Sequence, residues 1–151
     1  MEHIRKATQE DASRIAEIYV FNNRINFYPI FKDPDFSFRE LQVVPLAREI
    51  QEDKETLENT YVYDDCHIIK GFINVKDQEV CKLFVDPFFQ RKNIGEKLLE
   101  YAMEYYDVTF LWALEKNTRA IQFYKSHGFI TTKEKKFEER TEEYLIKMIR
   151  Y

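Results

Sequence analysis

One stretch of the chain, from Leu83 to Tyr101, has the residue pattern of an anion-binding junction. The apolar run from Leu83 to Val85 stops at Asp86-Pro87, and apolar residues return at helical spacing from Ile94. The first N–H groups of a helix have no intrahelical acceptor, and the helix dipole adds positive potential there. We therefore predict a strand, a turn and a helix whose N-terminus binds a phosphate group.

Basic residues near this junction suit a small polyanionic ligand. Arg91, Lys92 and Lys97 lie within it, and Arg119 and Lys125 follow in the next part of the chain. The whole chain carries a formal net charge of −4, which argues against a general nucleic-acid-binding protein. The alternative reading, that these cations are solvated charges on helix faces, stays open.

Composition indicates one globular domain over residues 1–151. Hydrophobic residues make up 44% and charged residues 33%, and no run approaches the roughly 20 apolar residues of a membrane span. We expect no membrane partner, and the polar N-terminal segment leads us to interpret the chain as cytoplasmic. Cys66 and Cys81 do not form a disulfide framework, so we expect structural thiols, and no Cys or His spacing indicates a metal.

The periodicity along the chain predicts an α+β fold with a largely antiparallel sheet. A first strand over 3–7 precedes a helix that begins at a capping box of Thr8 and Asp11. Ser37 and Glu40 indicate a second helix, which Pro45 should kink or divide. The aromatic segment 22–38 fits an ordered loop or short helical turns. The remaining elements are strands over 60–63, 67–75, 79–85, 108–114, 129–137 and 144–149 and helices over 94–106 and 118–126.

Two segments resemble the GNAT superfamily of acyl-CoA-dependent N-acyltransferases. The first is similar to the pattern V-x-P-x-x-Q followed by x-x-G-x-G/A, and the second to N-x-x-A-x-x-F-Y with a later G-F. The first match consists of Val85, Asp86, Pro87, Gln90, Ile94 and Gly95, and the second of Asn117, Ala120, Phe123, Tyr124, Gly128 and Phe129. Asn93 stands where the family has its first glycine, and we expect it to adopt a left-handed conformation there.

The resemblance implies a single acetyltransferase domain with the GNAT fold. That fold is a mixed, mostly antiparallel seven-stranded sheet flanked by about four helices. Its order is strand, two helices, three strands, helix, strand, helix and two strands. The implied function is transfer of an acetyl group from acetyl-CoA to a primary amine of a small molecule or peptide, by direct attack in a ternary complex without metal. A non-catalytic acyl-CoA-binding regulatory module or a protein-interaction module is the alternative, and a homodimer is left open.

The resemblance also implies roles for individual residues. Tyr124 falls on the family's general-acid position, where it would protonate the leaving thiolate. A backbone N–H near Leu83 would stabilise the oxyanion. The residues implied to bind coenzyme A are Leu83, Val85, Gln90, Arg91, Lys92, Asn93, Ile94, Gly95, Glu96, Asn117 and Tyr124.

The general base and the amine-binding wall are less sharply defined. Glu79 lies eleven residues before Gln90, where family members that use a strand carboxylate carry their base. Glu115 and a water chain along backbone carbonyls are the competing hypotheses.

The resemblance implies that the amine arrives from the side opposite the cofactor, bounded by the first two helices and the last hairpin. The segment 22–38 is then the expected specificity wall. Within that segment the residue types suggest Arg24, Tyr28 and Phe31 as the substrate-binding residues.

Overall fold

A computed structural model describes residues 3–151 and has a seven-stranded sheet at its centre. The strands follow the order β1-β2-β3-β4-β5-β7-β6, and every neighbouring pair is antiparallel except β4 and β5, which run parallel. The strand bounds are Ile4–Lys6 (β1), Thr60–Asp65 (β2), Ile68–Lys76 (β3), Glu79–Val85 (β4), Phe110–Leu114 (β5), Phe129–Phe137 (β6) and Tyr144–Arg150 (β7). The predicted strands are confirmed, with shifts of a few residues at their ends.

In the part of the chain that the structure describes, six α-helices accompany this sheet, two more than the sequence pattern indicated. The difference lies between β1 and β2, where short helices flank the predicted ones. The helices are Ala12–Asn22 (α1), Tyr28–Phe31 (α2), Val43–Glu52 (α3), Lys54–Glu58 (α4), Ile94–Tyr106 (α5) and Thr118–Lys125 (α6). None of the helices within residues 3–151 combines the length and the apolarity that crossing a membrane would require.

The helices cover both faces of the sheet, because neighbouring strand residues point to opposite sides. On one face Val62 and Phe72 pack with Ile18 of α1. On the other face the adjacent residues Tyr61 and Ile73 pack with α5. Two separate hydrophobic cores result, one beneath α1 and one beneath α5 and α6.

The start of α1 follows its predicted capping box. The Thr8 N–H donates to Asp11 Oδ2 at 2.8 Å, and both reciprocal bonds of the box are present. One short 3₁₀ turn at Gln9–Asp11 precedes the helix proper. Asp11 also accepts hydrogen bonds from Arg5 Nη1 and Nη2, at 2.8 and 2.9 Å. These bonds connect β1 to the start of α1.

The second predicted capping box is wrong. Ser37 is buried, and its hydroxyl donates to Asn23 Oδ1 at 3.1 Å instead of capping a helix. Asn23–Phe27 and Asp35–Glu40 are π-helical turns, which have no apolar periodicity that a 3.6-residue pattern could detect. Pro45 does not kink α3, because it lies in the first turn, where a backbone N–H has no intrahelical partner.

The expectation of structural thiols is also wrong. Cys66 and Cys81 are both free and exposed. Cys66 lies at the turn between β2 and β3 with a φ of +53°, and Cys81 lies on β4.

Candidate active site

The parallel strands β4 and β5 pair over a short distance and then separate. Their ladder consists of Glu79 opposite Phe110 and Val80 opposite Leu111. Beyond these pairs, the carboxyl-terminal part of each strand continues beside an open cleft of about 700 Å³. The sheet therefore contains an opening through its centre, with strand main chain on both sides.

Main-chain groups of β4 point into this opening. The Asp86 N–H donates to Lys70 O of β3 at 2.8 Å. Antiparallel ladders alternate between bonded and non-bonded pairs, so the N–H and C=O groups of Leu83 and Val85 point away from β3. The Val85 carbonyl accepts hydrogen bonds from Asn22 Nδ2 at 2.9 Å and from Gln90 Nε2 at 3.4 Å.

The same alternation applies to β5. The Arg150 N–H of β7 donates to Thr109 O at 2.8 Å, so the main-chain groups of Trp112 and Leu114 point away from β7. The cleft thus has peptide donors and acceptors on both sides, as needed to pair with an extended ligand that contains amide groups.

Ten of the eleven residues predicted to bind coenzyme A line this cleft, and Lys92 does not. The ten are Leu83, Val85, Gln90, Arg91, Asn93, Ile94, Gly95, Glu96, Asn117 and Tyr124. They come from β4, the following loop and the starts of α5 and α6, and the opening between the strands brings them together. Their assignment to coenzyme A stays a prediction.

The loop before α5 has the predicted left-handed residue. Asn93 has a φ of +62°, and Arg91 is also left-handed at +66°. The Asn93 carbonyl accepts the Lys97 N–H at 3.0 Å, which starts the helix. A Cβ at Gly95 would make only ordinary contacts, 3.5 Å from Val85 and 3.7 Å from Phe123. Alanine would therefore fit at this position without displacing either side chain.

A buried carboxylate anchors the turn that leads into this loop. Asp86 accepts the Phe88 N–H at 2.9 Å and Arg14 Nη2 at 2.8 Å. Burial alone would lower the pKa of Arg14, but its hydrogen bonds to Asp86 and Glu17 outweigh that effect and raise it. The ion pair links α1 to the end of β4, so the position of the loop depends on α1.

Unpaired cations lie along the loop and the start of α6. Arg91 and Arg119 are exposed and line the cleft. Lys92 is exposed beside them. Within residues 3–151 none of the three forms an ion pair, so their charge is available to an anionic ligand.

Tyr124 lines the cleft from α6. Asn117 caps α6 by accepting the Ala120 N–H at 3.2 Å. The half-buried ring of Tyr124 packs edge-on against Phe123 at 5.3 Å and Phe129 at 5.9 Å. Its hydroxyl makes no hydrogen bond within residues 3–151 and is not sealed from solvent. Burial raises the pKa of Tyr124, so the hydroxyl stays protonated and remains able to donate a proton.

The candidate bases lie outside the lining of the cleft. Glu79 is the first residue of β4 and pairs with Phe110 at the closed end of the opening. Glu115 follows β5 and forms an ion pair with Lys135 at 2.6 Å. Cys81 does line the cleft, but burial and the charge of Glu79 raise the pKa of its thiol, which disfavours the nucleophilic thiolate.

The three residues predicted to bind the substrate contact other residues of the segment 22–38. Arg24 Nε donates to Ser37 O at 3.0 Å, and its guanidinium lies 5.3 Å from the ring centre of Phe38. Tyr28 packs on Phe38 and Phe31 on Phe27. None of the three predicted residues lines the cleft, so their substrate role stays a prediction.

A different set of residues forms this side of the cleft. It consists of Tyr19, Asn22, Asn26, Phe27, Lys82 and Glu138. Tyr19, Asn22 and Asn26 share one face of α1 and its π-helical extension, a spacing that the sequence does show. Glu138 lies in the turn between β6 and β7, and no sequence pattern connects it to α1.

Three side chains with metal-ligating atoms also lie together. Glu96, Glu100 and His127 bring one such atom each to within 4.8 Å of one another. His127 Nε2 is 3.5 Å from Glu96 Oε1, and its Nδ1 donates to Phe123 O at 2.9 Å. We assign no metal here, because exposed carboxylates often form such groups without one.

The fold thus places a ligand-sized cleft between the parallel strands β4 and β5, with the N-terminus of α5 beside it. Proteins of this class bind their ligand in such an opening of the sheet. A sequence model of the acetyltransferase (GNAT) domain matches residues 56–131, half of the chain. The chain belongs to the GNAT family.

Curated relatives resemble part of the chain. An uncharacterized N-acetyltransferase of Methanocaldococcus jannaschii is 35% identical over 74 residues, which is 46% of this chain and 33% of that protein. The peptidyl-lysine N-acetyltransferase YiaC of Escherichia coli is 29% identical over 70 residues, which is 46% of this chain and 48% of that protein. The matched segment thus spans less than half the length of either relative.

Solved structures share the whole fold at low identity. An N-acetyltransferase from Staphylococcus aureus Mu50 has a TM-score of 0.77 at 15% identity and covers 97% of this chain and 98% of its own. The PaiA N-acetyltransferase of Thermoplasma acidophilum was solved in complex with coenzyme A and has a TM-score of 0.67 at 18% identity. The likeness covers 95% of this chain and 96% of that protein's chain. At these identities the likeness shows the fold alone.

Proposed function

We propose that this protein is an N-acetyltransferase that moves an acetyl group from acetyl-CoA to a primary amine by direct attack in a ternary complex. The observation that carries this proposal is the separation of β4 and β5 beyond Val80 and Leu111. That separation leaves the Leu83 N–H, the Tyr124 hydroxyl and the start of α5 beside one cleft. Membership of the GNAT family supports the same reaction class.

The donor side of the cleft fits coenzyme A by its chemistry. The first N–H groups of α5 favour a diphosphate, because they lack intrahelical acceptors and lie at the positive end of the helix dipole. Arg91 and Arg119 add unpaired positive charge. The pantetheine arm carries amide groups, and the Val85 N–H and the main chain of Trp112 offer partners for them.

The acyl group then reaches the narrow end of the opening, beside Leu83. A main-chain N–H there is already aimed away from β3, so it can stabilise the tetrahedral oxyanion with little reorganisation. A thiol with a pKa of about 8.5 leaves as the thiolate. The Tyr124 hydroxyl is the group that protonates it, since it is unbonded within residues 3–151 and faces the cleft.

The amine must lose a proton before or during attack, because an alkylammonium with a pKa of about 10.4 has no free electron pair. A general base must lie within one hydrogen bond of the amine or act through one water. Glu79 does not line the cleft, so we favour water molecules held by the inward-facing carbonyls of β4 and β5. On this route the proton leaves through water rather than to a side chain.

A panel of primary amines tests the proposal directly. The protein is mixed with acetyl-CoA and each amine, and free thiol is measured together with the acetylated product. We expect at least one amine to release thiol and product in equal amounts. Tight acetyl-CoA binding without thiol release for any amine would instead support the non-catalytic acyl-CoA-binding module.

A further inference from the structure

The cleft joins the two faces of the sheet, and its far side has its own charge. The donor side lies on the α5 and α6 face, with Gly95 and Tyr124. The other side lies on the α1 face, where Tyr19 packs edge-on against Phe84 at 5.3 Å. Glu138 reaches this side from the turn between β6 and β7.

We propose that Glu138 binds a second positive charge on the acceptor, so that the substrate is an amine with another cationic group a few atoms from the reacting nitrogen. The inference rests on the proposed function and names the substrate class of the same site. A free diamine and a peptide with neighbouring basic side chains share this chemistry.

The Glu138 carboxylate has no cation of its own. It accepts the Glu139 N–H at 2.9 Å and forms no ion pair within residues 3–151. Of the nearby carboxylates, Glu143 lies 2.7 Å from Lys116 and Glu115 lies 2.6 Å from Lys135. Glu139 and Glu142 of the same turn also form no ion pair among the described residues, but neither of them lines the cleft. Negative charge is therefore left uncompensated at the residue that reaches the cleft.

The turn holds Glu138 in position before any ligand arrives. The Glu138 N–H donates to Glu143 O at 2.8 Å. The Glu138 carbonyl accepts from Thr141 twice, from its N–H at 3.0 Å and its hydroxyl at 2.9 Å. A carboxylate on a fixed main chain loses less conformational entropy on binding than one on a mobile loop.

The aromatic surface opposite the turn favours a cation. Tyr19 and Glu138 both line the cleft. Burial and the charge of Glu138 raise the pKa of the Tyr19 hydroxyl. The Lys82 ammonium already lies 5.0 Å from the Tyr19 ring centre, so this ring accepts a positive charge. Lys82 is exposed and can turn to solvent when another cation enters. A site between a carboxylate and an aromatic face suits an ammonium.

Matched acceptors test the inference. Diaminobutane and aminobutane have the same carbon chain and differ by one charge. Two N-acetylated dipeptide amides, Lys-Lys and Lys-Ala, repeat the comparison for a peptide source. We expect the wild-type kcat/KM for the dicationic member of at least one pair to exceed its partner by about tenfold.

Glu138→Gln should remove that preference by lowering kcat/KM for the dicationic acceptor about tenfold more than for the monocationic one. Glu139→Gln is the control, because Glu139 is an exposed neighbour in the same turn and does not line the cleft; it should keep the preference. An unchanged preference in Glu138→Gln would overturn the inference. An equal loss for all four acceptors would also overturn it, since that pattern indicates a general base or a folding defect.

A binding experiment separates this inference from the proposed function. Diaminobutane and aminobutane are titrated into protein saturated with coenzyme A, where no turnover occurs. Glu138→Gln should weaken diamine binding about tenfold and leave aminobutane binding unchanged. Absence of turnover with every amine would reject the proposed function, whereas the titration decides the role of Glu138 by itself.

Discussion

At the scale of single residues, the Tyr124 hydroxyl carries the most specific chemical expectation. Tyr124→Phe removes the proton donor and keeps the ring contacts with Phe123 and Phe129. We expect kcat to fall by about two orders of magnitude, the lower range for general acid–base catalysis. Acetyl-CoA affinity, measured by calorimetry, should not change.

Tyr105→Phe is the matched control for this substitution. Tyr105 is exposed on α5 and does not line the cleft, so its removal should leave kcat unchanged. An unaltered kcat in Tyr124→Phe would remove Tyr124 as the general acid and leave the thiolate to depart unprotonated.

Substitutions at Asn93 test whether the left-handed conformation of the loop affects the stability of the protein. Its φ of +62° suits glycine and asparagine. Asn93→Ala should destabilise the protein by about 1 kcal/mol, because a Cβ without a compensating polar group is strained there. Asn93→Gly should be neutral or slightly stabilising. Urea unfolding measures both, and equal stability of the two variants would contradict the expectation.

Substitution of Glu79 tests whether a carboxylate or water takes the proton from the amine. Because Glu79 lies at the paired end of the opening, we expect Glu79→Gln to change kcat by less than about twofold. A base in direct or one-water contact would cost about a hundredfold or more. Steady-state kinetics with a productive amine distinguish the two, and a large loss of kcat would support Glu79 as the general base that the family resemblance implied.

At the scale of elements, α1 supplies one wall of the cleft and depends on its anchor at Asp11. Burial alone would raise the pKa of Asp11, but the hydrogen bonds from Arg5 and the Thr8 N–H hold it below its usual value. The ionised form is therefore favoured in the folded state. Its stabilisation is complete above the unfolded pKa of about 3.9 and is lost as pH falls through the lower folded value.

Because the folded state lowers the pKa of Asp11, the effect of replacing Asp11 should depend on pH. Asp11→Asn should lower the free energy of unfolding by about 2 kcal/mol at neutral pH, since it weakens charge-assisted hydrogen bonds. The difference from the wild type should shrink below about pH 4. Glu10→Gln, an exposed neighbour, should match the wild type at each pH. A difference for Asp11→Asn that is constant down to pH 2 would contradict the linkage.

The elements themselves were largely predictable, and the exceptions have physical causes. Strand alternation and apolar runs gave β4 its observed bounds of Glu79–Val85. The π-helical turns at Asn23–Phe27 and Asp35–Glu40 were not predictable, because their stability comes from buried side-chain bonds such as Ser37 to Asn23. Local propensity contains no signal for such contacts.

At the scale of the whole molecule, the opening in the sheet connects two chemically different faces. The α5 and α6 face has the helix N-terminus and the cations Arg91 and Arg119, whereas the α1 face has aromatic rings and Glu138. The family motifs predicted most of the cleft residues on the α5 and α6 face, because these residues come from two continuous segments, and their binding of the acyl donor stays a prediction. The resemblance implied that the first two helices and the last hairpin bound the other side, but its individual residues were missed. Tyr19, Lys82 and Glu138 are far apart in the chain, and only the fold brings them together.

The central claim is that the opening between β4 and β5 binds the acyl donor. It is tested most directly by titrating coenzyme A into isotope-labelled protein and following the backbone amide signals. We predict the largest shifts at Leu83, Val85 and the loop and helix start from Arg91 to Glu96. The second concavity, beside Lys6 and Lys54, serves as the internal control and should not shift. Binding that perturbs that region and leaves Leu83 and Gly95 unchanged would contradict the account.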